Sequence, residues 1–294
     1  MSKPLKVAFL GIGLMGKPMV QRLINAGYAL QIWNRTSEKS AHFKQHATIA
    51  RSPEEALKGA NIAITMLENG DVVDRVMFQS KAYNSLAKNA LVIDMSSITP
   101  SMTKSHAQTL EKNGFRYLDA PVSGGTVGAE AGTLSIMVGG KREDFNAAEP
   151  LLQRLGKPTY IGKTGCGQLT KLANQAIVGI TIGAVSEALL LAAKGGADLN
   201  AVKHALGGGF AASRILELHG QRMIERNFEP GATSRVQLKD MRSILDEARL
   251  ENLTLPLSQR TYEAYLSLVS SGMDNVDHSG LLLELEKLNQ TSLN

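Results

Sequence analysis

A short apolar strand pattern, Lys6–Gly11, leads without a break into Gly11-Ile12-Gly13-Leu14-Met15-Gly16, and Lys17–Asn25 continues with the periodicity of a helix. Few backbone arrangements accept three glycines at this spacing between a strand and a helix. Gly11 permits a tight turn, Gly13 lets the backbone approach a pyrophosphate, and Gly16 lets the helix pack closely on the strand. The helix start adds unpaired N–H groups and a partial positive charge. In this setting Gly11, Ile12, Gly13, Leu14, Met15 and Gly16 read as a dinucleotide-phosphate site. Without a strand and a helix around them, the same glycines would be an ordinary turn.

The rest of the first half repeats the alternation. Ala29–Asn34, Ile62–Met66, Leu91–Met95 and Phe115–Asp119 read as strands, Pro53–Gly59 and Pro100–Asn113 as helices, and Ser135–Val138 and Thr159–Ile161 as edge strands. Short apolar strands separated by helices imply a parallel sheet covered on both faces. Beyond Gly165 the strand pattern stops. Gln168–Lys194 reads as one long helix ended by Gly195-Gly196. Helical stretches follow at Asn200–Leu206, Ala212–Arg226, Gln237–Glu251, Pro256–Ser270 and Asp277–Leu288. The expected architecture is α/β: an N-terminal Rossmann-type dinucleotide-binding domain, residues 1–164, then an all-α substrate and oligomerisation domain, residues 165–294, joined by the long helix. A length of 294 residues suits two cores.

Composition narrows the partners. The net charge of +5 comes from 32 basic and 27 acidic residues with no dense basic block, and aromatics are only 5%. Nucleic-acid binding wants clustered cations with stacking aromatics, so it is not expected. The single cysteine, Cys166, excludes an intrachain disulfide and a cysteine-based zinc site, and suits a cytoplasmic location. The N-terminal residues lack the layout of a signal peptide. Ala176–Ala193 is just long and apolar enough to cross a bilayer, but it carries Glu187, Ser186 and Thr181. A helix buried on all sides in a soluble protein is expected there, with no membrane partner.

The end of the second strand sets the cofactor form. Sites for NAD place Asp or Glu there to hold the ribose 2′-hydroxyl. Here the residues are Trp33-Asn34-Arg35-Thr36, with no carboxylate. Arg35 can pair with a 2′-phosphate, and Asn34 and Thr36 can hydrogen-bond to it. NADP(H) is therefore expected over NAD(H), with NAD(H) the second choice. Read alone, Arg35 is an ordinary solvated loop cation.

Two further segments carry chemistry. Ser123-Gly124-Gly125 follows a strand end and presents a hydroxyl with unobstructed N–H groups, which suits a carboxylate, although an ordinary turn has the same composition. Lys171 lies one turn into the long apolar helix, with Gln175 at i+4 on the same face and Asn174 beside it. Alone, such a lysine reads equally as a snorkelling cation.

Taken in order, these segments resemble the β-hydroxyacid dehydrogenases, the family of 3-hydroxyisobutyrate dehydrogenase, tartronate semialdehyde reductase, glyoxylate/succinic semialdehyde reductase and, more distantly, 6-phosphogluconate dehydrogenase. The likeness runs from Val7 to about Leu288. It rests on FLGIGLMGKPM at Phe9–Met19, DMSSITP at Asp94–Pro100, DAPVSGG at Asp119–Gly125, GTLSIMVGG at Gly132–Gly140, GCGQLTKLANQ at Gly165–Gln175 and QLKD at Gln237–Asp240. The resemblance implies that Lys171 is the catalytic lysine and that Ser123, Gly124 and Gly125 hold the substrate carboxylate. It implies substrate contacts at Asn174 and at Gln175, where several members have Asn and the longer amide is expected to reach further into the pocket. Met66, Leu67, Ser97 and Lys239 match positions beside the cofactor. The implied reaction is reversible NADP(H)-dependent reduction of a small carboxylate-bearing aldehyde to a hydroxy acid. Tartronate semialdehyde, glyoxylate and succinic semialdehyde all qualify, and a homodimer or homotetramer is implied.

The alternatives are a 3-hydroxyisobutyrate dehydrogenase, an imine reductase on the same scaffold, and a non-catalytic NADP-binding module. Imine reductases usually replace the lysine, so Lys171 speaks against that one. The six histidines show no metal-ligand spacing, and no metal site is expected. Asp277-His278-Ser279 reads as a helix cap rather than a triad. Phe210, after three glycines, is a candidate pocket wall.

Overall fold

A computed structural model describes residues 5–293, and the chain divides into two compact units, one ending at Lys171 and the other starting at Leu172. The first unit holds one sheet. Its strands are β1 (Lys6–Leu10), β2 (Ala29–Trp33), β3 (Thr48–Ile49), β4 (Ile62–Thr65), β5 (Leu91–Asp94), β6 (Arg116–Asp119), β7 (Val122–Ser123), β8 (Leu134–Gly140) and β9 (Gly156–Gly162). The order is β3-β2-β1-β4-β5-β6-β8-β7, with β9 also paired to β8. The first six strands are parallel: Val7 sits opposite Leu30 on one side and Ile62 on the other. β8 runs antiparallel to β6 and β7, and β9 runs parallel to β8.

The order 3-2-1-4-5-6 is that of dinucleotide-binding sheets, whose ligands lie at the carboxyl ends of the strands where the order reverses. Here that reversal falls between β1 and β4. Because the strands are parallel, Leu10, Trp33, Thr65, Asp94 and Asp119 end along one edge, so the segments after them converge there.

The strand sequences explain the sheet. IAIT in β4 and LVID in β5 are buried at every residue, as central parallel strands must be. One face packs Val7, Phe9, Ile64 and Ile93 against Met19 and Leu23 of the helix Gly16–Asn25 and Phe145 and Leu152 of the helix Arg142–Leu152. The other face carries the smaller Ala8, Ala63 and Val92 against Leu57 and against Leu110 of the helix Pro100–Lys112. Thr99 caps that last helix, its hydroxyl accepting from Met102 N–H at 3.3 Å, with Pro100 in the first turn.

The helices Glu38–Ala41, Gly125–Ala131 and Arg142–Leu152 and the π-helical turn Asp74–Gln79 were not expected from the sequence. Arg142–Leu152 contains Pro150, and Gly125–Ala131 has two glycines. Packing overrides propensity at both, through Phe145, Ala148 and Leu151 in the first and Ala129 in the second.

The second unit is helical. Leu199–Gly207, Arg214–Ile224, Ser234–Leu250, Pro256–Ser270 and Leu281–Leu288 join the later turns of the long helix Cys166–Lys194. Ile182, Leu189, Met223, Met241, Tyr265 and Leu282 form the centre of its core. Among the described residues its β-pairing is limited to a bridge between Thr233 and Asp277.

Cys166–Lys194 is long and apolar enough to cross a membrane, with a mean hydropathy of 2.0 over an 18-residue stretch, yet only 33% of that stretch is buried within the chain. The expectation of burial on all sides is therefore corrected. Ile182, Val185 and Leu189 face the core, whereas Ile177 and Leu191 are 67% and 77% exposed and Ala184 midway between them is exposed too. Steps of seven residues put these three on one face of the helix.

Candidate functional site

The glycine turn is built from two different kinds of glycine. An added Cβ on Gly11, whose φ is +106°, would lie 2.2 Å from the Met66 carbonyl oxygen. One on Gly16 would lie 1.9 Å from the carbonyl oxygen of Gly11. At these two positions the protein itself leaves no room. Gly13 is the opposite: nothing lies within 4 Å of its added Cβ. The fold does not need a glycine there, and the empty space is a cradle that a side chain would fill. A phosphate group resting on the backbone fits that cradle, so the residues present suit a dinucleotide.

Asn34 links two local segments and keeps one amide N–H for a further partner. Its Oδ1 accepts from Ile12 N–H at 2.8 Å, and its Nδ2 donates to Thr36 O at 2.9 Å. The amide thus ties the glycine turn to the end of β2, and Ile12 N–H is engaged as well. Arg35 and Thr36 are exposed at this end. Lys39 begins one turn beyond Thr36, with its N–H donating to Thr36 O, and adds a cation that the sequence pattern did not single out. Lys39 and Lys17 line a cleft of about 790 Å³ that starts at Gly13 and Leu14.

The loops after β4 and β5 are fastened from beneath. Asp94 Oδ1 accepts from Thr65 Oγ1 at 2.8 Å and from Ser96 N–H at 2.9 Å, and Ser96 Oγ accepts from Leu67 N–H at 3.0 Å. Tyr117 Oη stands 3.5 Å from Asp94 Oδ2. Burial pushes the Asp94 carboxyl up to about 6, against the hydrogen bonds from Ser96 and Thr65. Met66, Leu67 and Ser97 on these loops are half-buried. Further along the same edge, Ser123 is half-buried opposite Ser135, and Gly124 and Gly125 are exposed with φ of +133° and +62°. Lys171 is half-buried in the helix Cys166–Lys194, whose next turn belongs to the second unit.

In the second unit a buried carboxylate gathers the polar residues. Asn174 Nδ2 donates to Gln175 Oε1 at 2.8 Å, and Gln175 Nε2 donates to Asp240 Oδ2 at 2.7 Å. Lys239 Nζ lies 3.1 Å from Asp240 Oδ1, and Gln237 Nε2 donates to Gln175 O at 3.2 Å. The longer amide of Gln175 is thus turned onto Asp240. Asp240, 5% exposed, was not singled out in the sequence although it ends the QLKD segment. A charge on a helix of mixed charges gives no sequence sign of facing inward.

Three of the other candidates form a structural cluster. His278 Nε2 is 3.2 Å from His219 Nε2, and His219 Nδ1 is 3.6 Å from Asp277 Oδ1, so these histidines are not scattered in space. Asp277 caps a 3-10 turn, accepting from Ser279 N–H at 3.0 Å and Ser279 Oγ at 2.6 Å, and also from Gly231 N–H at 2.9 Å. Burial alone would raise its carboxyl, but the facing His219 ring and the hydrogen bonds from Ser279 hold it well below the usual range. Burial and the neighbouring His219 push His278 down to about 4. The serine hydroxyl points at the carboxylate, which is the arrangement of a cap and not of a triad. Phe210 is fully exposed.

Known proteins share this fold and much of this sequence. Residues 6–166 match the NAD-binding domain of 6-phosphogluconate dehydrogenase, and residues 165–285 match the NAD-binding domain of NADP-dependent 3-hydroxyisobutyrate dehydrogenase. The chain is 40% identical to 2-hydroxy-3-oxopropionate reductase of Escherichia coli over 284 residues, 96% of this chain and 97% of that one. It is 31% identical to 2-(hydroxymethyl)glutarate dehydrogenase of Eubacterium barkeri, covering 100% and 99%. The structure of 3-hydroxyisobutyrate dehydrogenase from Mycobacterium tuberculosis with L-serine superposes with a TM-score of 0.88 at 28% identity, covering 96% and 99%. A dinucleotide-binding sheet order, an open space over Gly13 and similarity to hydroxyacid enzymes along almost the whole chain agree, and the chain belongs to the β-hydroxyacid dehydrogenase family, as an NAD(P)-dependent oxidoreductase.

Proposed function

We propose that the protein uses NADP(H) to interconvert a small carboxylate-bearing aldehyde and its hydroxy acid, with 2-hydroxy-3-oxopropionate (tartronate semialdehyde) the first candidate and glyoxylate and succinic semialdehyde next. The observation that carries the cofactor form is the open cradle over Gly13 with Arg35 and Thr36 exposed at the end of β2 and no carboxylate there. The substrate class is supported by similarity to a 2-hydroxy-3-oxopropionate reductase along almost the whole chain.

In this reading Gly11 to Gly16 hold the pyrophosphate, Asn34, Arg35 and Thr36 the 2′-phosphate, and Met66, Leu67, Ser97 and Lys239 the rest of the cofactor. When bound, the nicotinamide supplies or accepts a hydride. The Ser123 hydroxyl and the N–H groups of Gly124 and Gly125 hold the substrate carboxylate, and Asn174 and Gln175 shape the remainder of its site. As the carbonyl oxygen gains negative charge, the Lys171 ammonium gives it a proton; in the oxidative direction neutral Lys171 takes that proton back. The face of Ile177, Ala184 and Leu191 supports a homo-oligomer, dimer or tetramer, since each lone copy leaves this apolar stripe in water.

The test is the oxidation of NADPH and of NADH against 2-hydroxy-3-oxopropionate, glyoxylate, succinic semialdehyde and methylmalonate semialdehyde, with a cyclic imine alongside. Turnover of an aldehyde acid with a higher kcat/KM for NADPH is expected. Turnover of the imine alone, no turnover at all, or a preference for NADH overturns the reading.

A further inference from the structure

We propose that Asp119 and Gln168 are positioning residues for Lys171: they bolt the first turn of the helix Cys166–Lys194 to the ends of β5 and β6, which fixes where the lysine amine is delivered. The proposal rests on the reading of Lys171 as the proton donor.

Asp119 is the last residue of β6 and is wholly buried. Its Oδ1 accepts from Gly165 N–H at 2.8 Å, and its Oδ2 accepts from Gln168 N–H at 2.9 Å. A helix start leaves its first N–H groups without internal partners, and a carboxylate there also meets the positive end of the helix dipole. The strand therefore caps the helix from outside it. The surroundings are cut to fit this carboxylate. A Cβ on Gly167 would lie 2.7 Å from Asp119 Oδ2 and 2.4 Å from Met137 O, and one on Gly139 would lie 2.6 Å from Asp119 Oδ1. Neither glycine has a positive φ, so close approach alone explains them. Burial raises the Asp119 carboxyl, opposed by the backbone N–H groups that surround it.

Gln168 makes the second attachment. Its side chain is wholly buried, with Nε2 donating to Ser96 O at 2.7 Å and Oε1 accepting from Ile98 N–H at 3.3 Å. The two contacts straddle Ser97. One amide thus fastens the segment that carries Ser97 to the helix turn that carries Lys171. An aliphatic side chain would fill the same space without needing two buried partners. What the amide adds is direction, because each of its ends accepts one geometry only.

The test uses the full-length enzyme with Gln168→Met, Gln168→Glu, Asp119→Asn and Lys171→Ala. A misplacement of about 1 Å can lower a rate by roughly 10²-fold, so Gln168→Met and Asp119→Asn should lose about 10- to 100-fold in kcat with a far smaller change in KM for the aldehyde. In Gln168→Glu the protonated carboxyl would restore both contacts, its O–H donating to Ser96 O and its carbonyl accepting from Ile98 N–H. The ionised form would set a negative charge against Ser96 O. The kcat of Gln168→Glu relative to wild type should therefore climb as the pH is lowered, while the Gln168→Met ratio stays flat. In the Lys171→Ala background, Gln168→Met should lower kcat no further. Wild-type kcat in Gln168→Met, or a loss that multiplies that of Lys171→Ala, overturns the proposal. If Gln168→Met does not fold, the pH profile of Gln168→Glu decides, and a flat ratio there overturns it. A near-normal kcat in Lys171→Ala instead brings down the reading of Lys171, a separate and visible outcome.

Discussion

Gly13→Ala separates what the fold requires from what the ligand requires. At Gly13 the added methyl meets no atom within 4 Å, and the backbone is not in the left-handed region. Alanine should therefore be accepted without strain, and the stiffer unfolded chain makes the variant more stable by about 0.4–1 kcal/mol. Gly16→Ala is the control. Its methyl would sit 1.9 Å from the Gly11 carbonyl oxygen, a backbone atom that cannot swing away. The helix Gly16–Asn25 must shift, at a cost of about 1–3 kcal/mol or more. Thermal denaturation should show an unchanged or raised Tm for Gly13→Ala and a lowered one for Gly16→Ala. NADPH fluorescence titration should show the reverse importance: the methyl fills the phosphate cradle, and Kd rises at least tenfold, about 1.4 kcal/mol. Wild-type affinity in a folded Gly13→Ala protein would refute the reasoning, because no phosphate could then rest on that backbone.

Three further perturbations follow from particular residues. Asp94 has a folded-state value near 6 against an ordinary 3.8, so the folded chain binds the proton more tightly and loses stability as the pH rises from about 4 through 6. Asp94→Asn keeps the acceptor for Thr65 and Ser96 and should exceed wild-type stability at pH 7 by up to about 3 kcal/mol, an advantage that fades by about pH 4; a pH-independent difference in urea melts would contradict this. Arg35→Asp should raise KM for NADPH and lower it for NADH, and an unchanged ratio would remove Arg35 from the 2′-phosphate site. Ile177→Glu combined with Leu191→Glu should reduce the mass in light scattering to that of one chain, and an unchanged mass would mean that this face is not the contact.

Much of the site's placement is legible in the sequence because it depends on strand ends. Gly11–Gly16, Trp33–Thr36, Met66–Leu67 and Ser97 each follow an apolar run, and a parallel sheet necessarily brings such ends to one edge. The limits of that reading have physical causes. An amide such as Asn34 offers the same groups to a ligand as to a backbone, so its ties to Ile12 and Thr36 could not be read from its type alone. Asp240 and Gln168 are polar residues turned inward, and helical spacing alone does not tell which polar face is buried when partners await it. The exposed stripe of the long helix looks the same as its core stripe in composition. Only the packing of the other helices against Ile182 and Leu189 distinguishes them.

The most direct test of the chemistry is kcat for NADPH-dependent reduction of 2-hydroxy-3-oxopropionate by wild type and Lys171→Ala, with NADPH affinity measured on the same samples. General acid catalysis is worth about 10²–10⁴-fold. The expected result is a loss of kcat within that range with the cofactor Kd unchanged. A Lys171→Ala enzyme that binds NADPH normally and turns over near the wild-type rate would contradict the central claim that this lysine moves the proton.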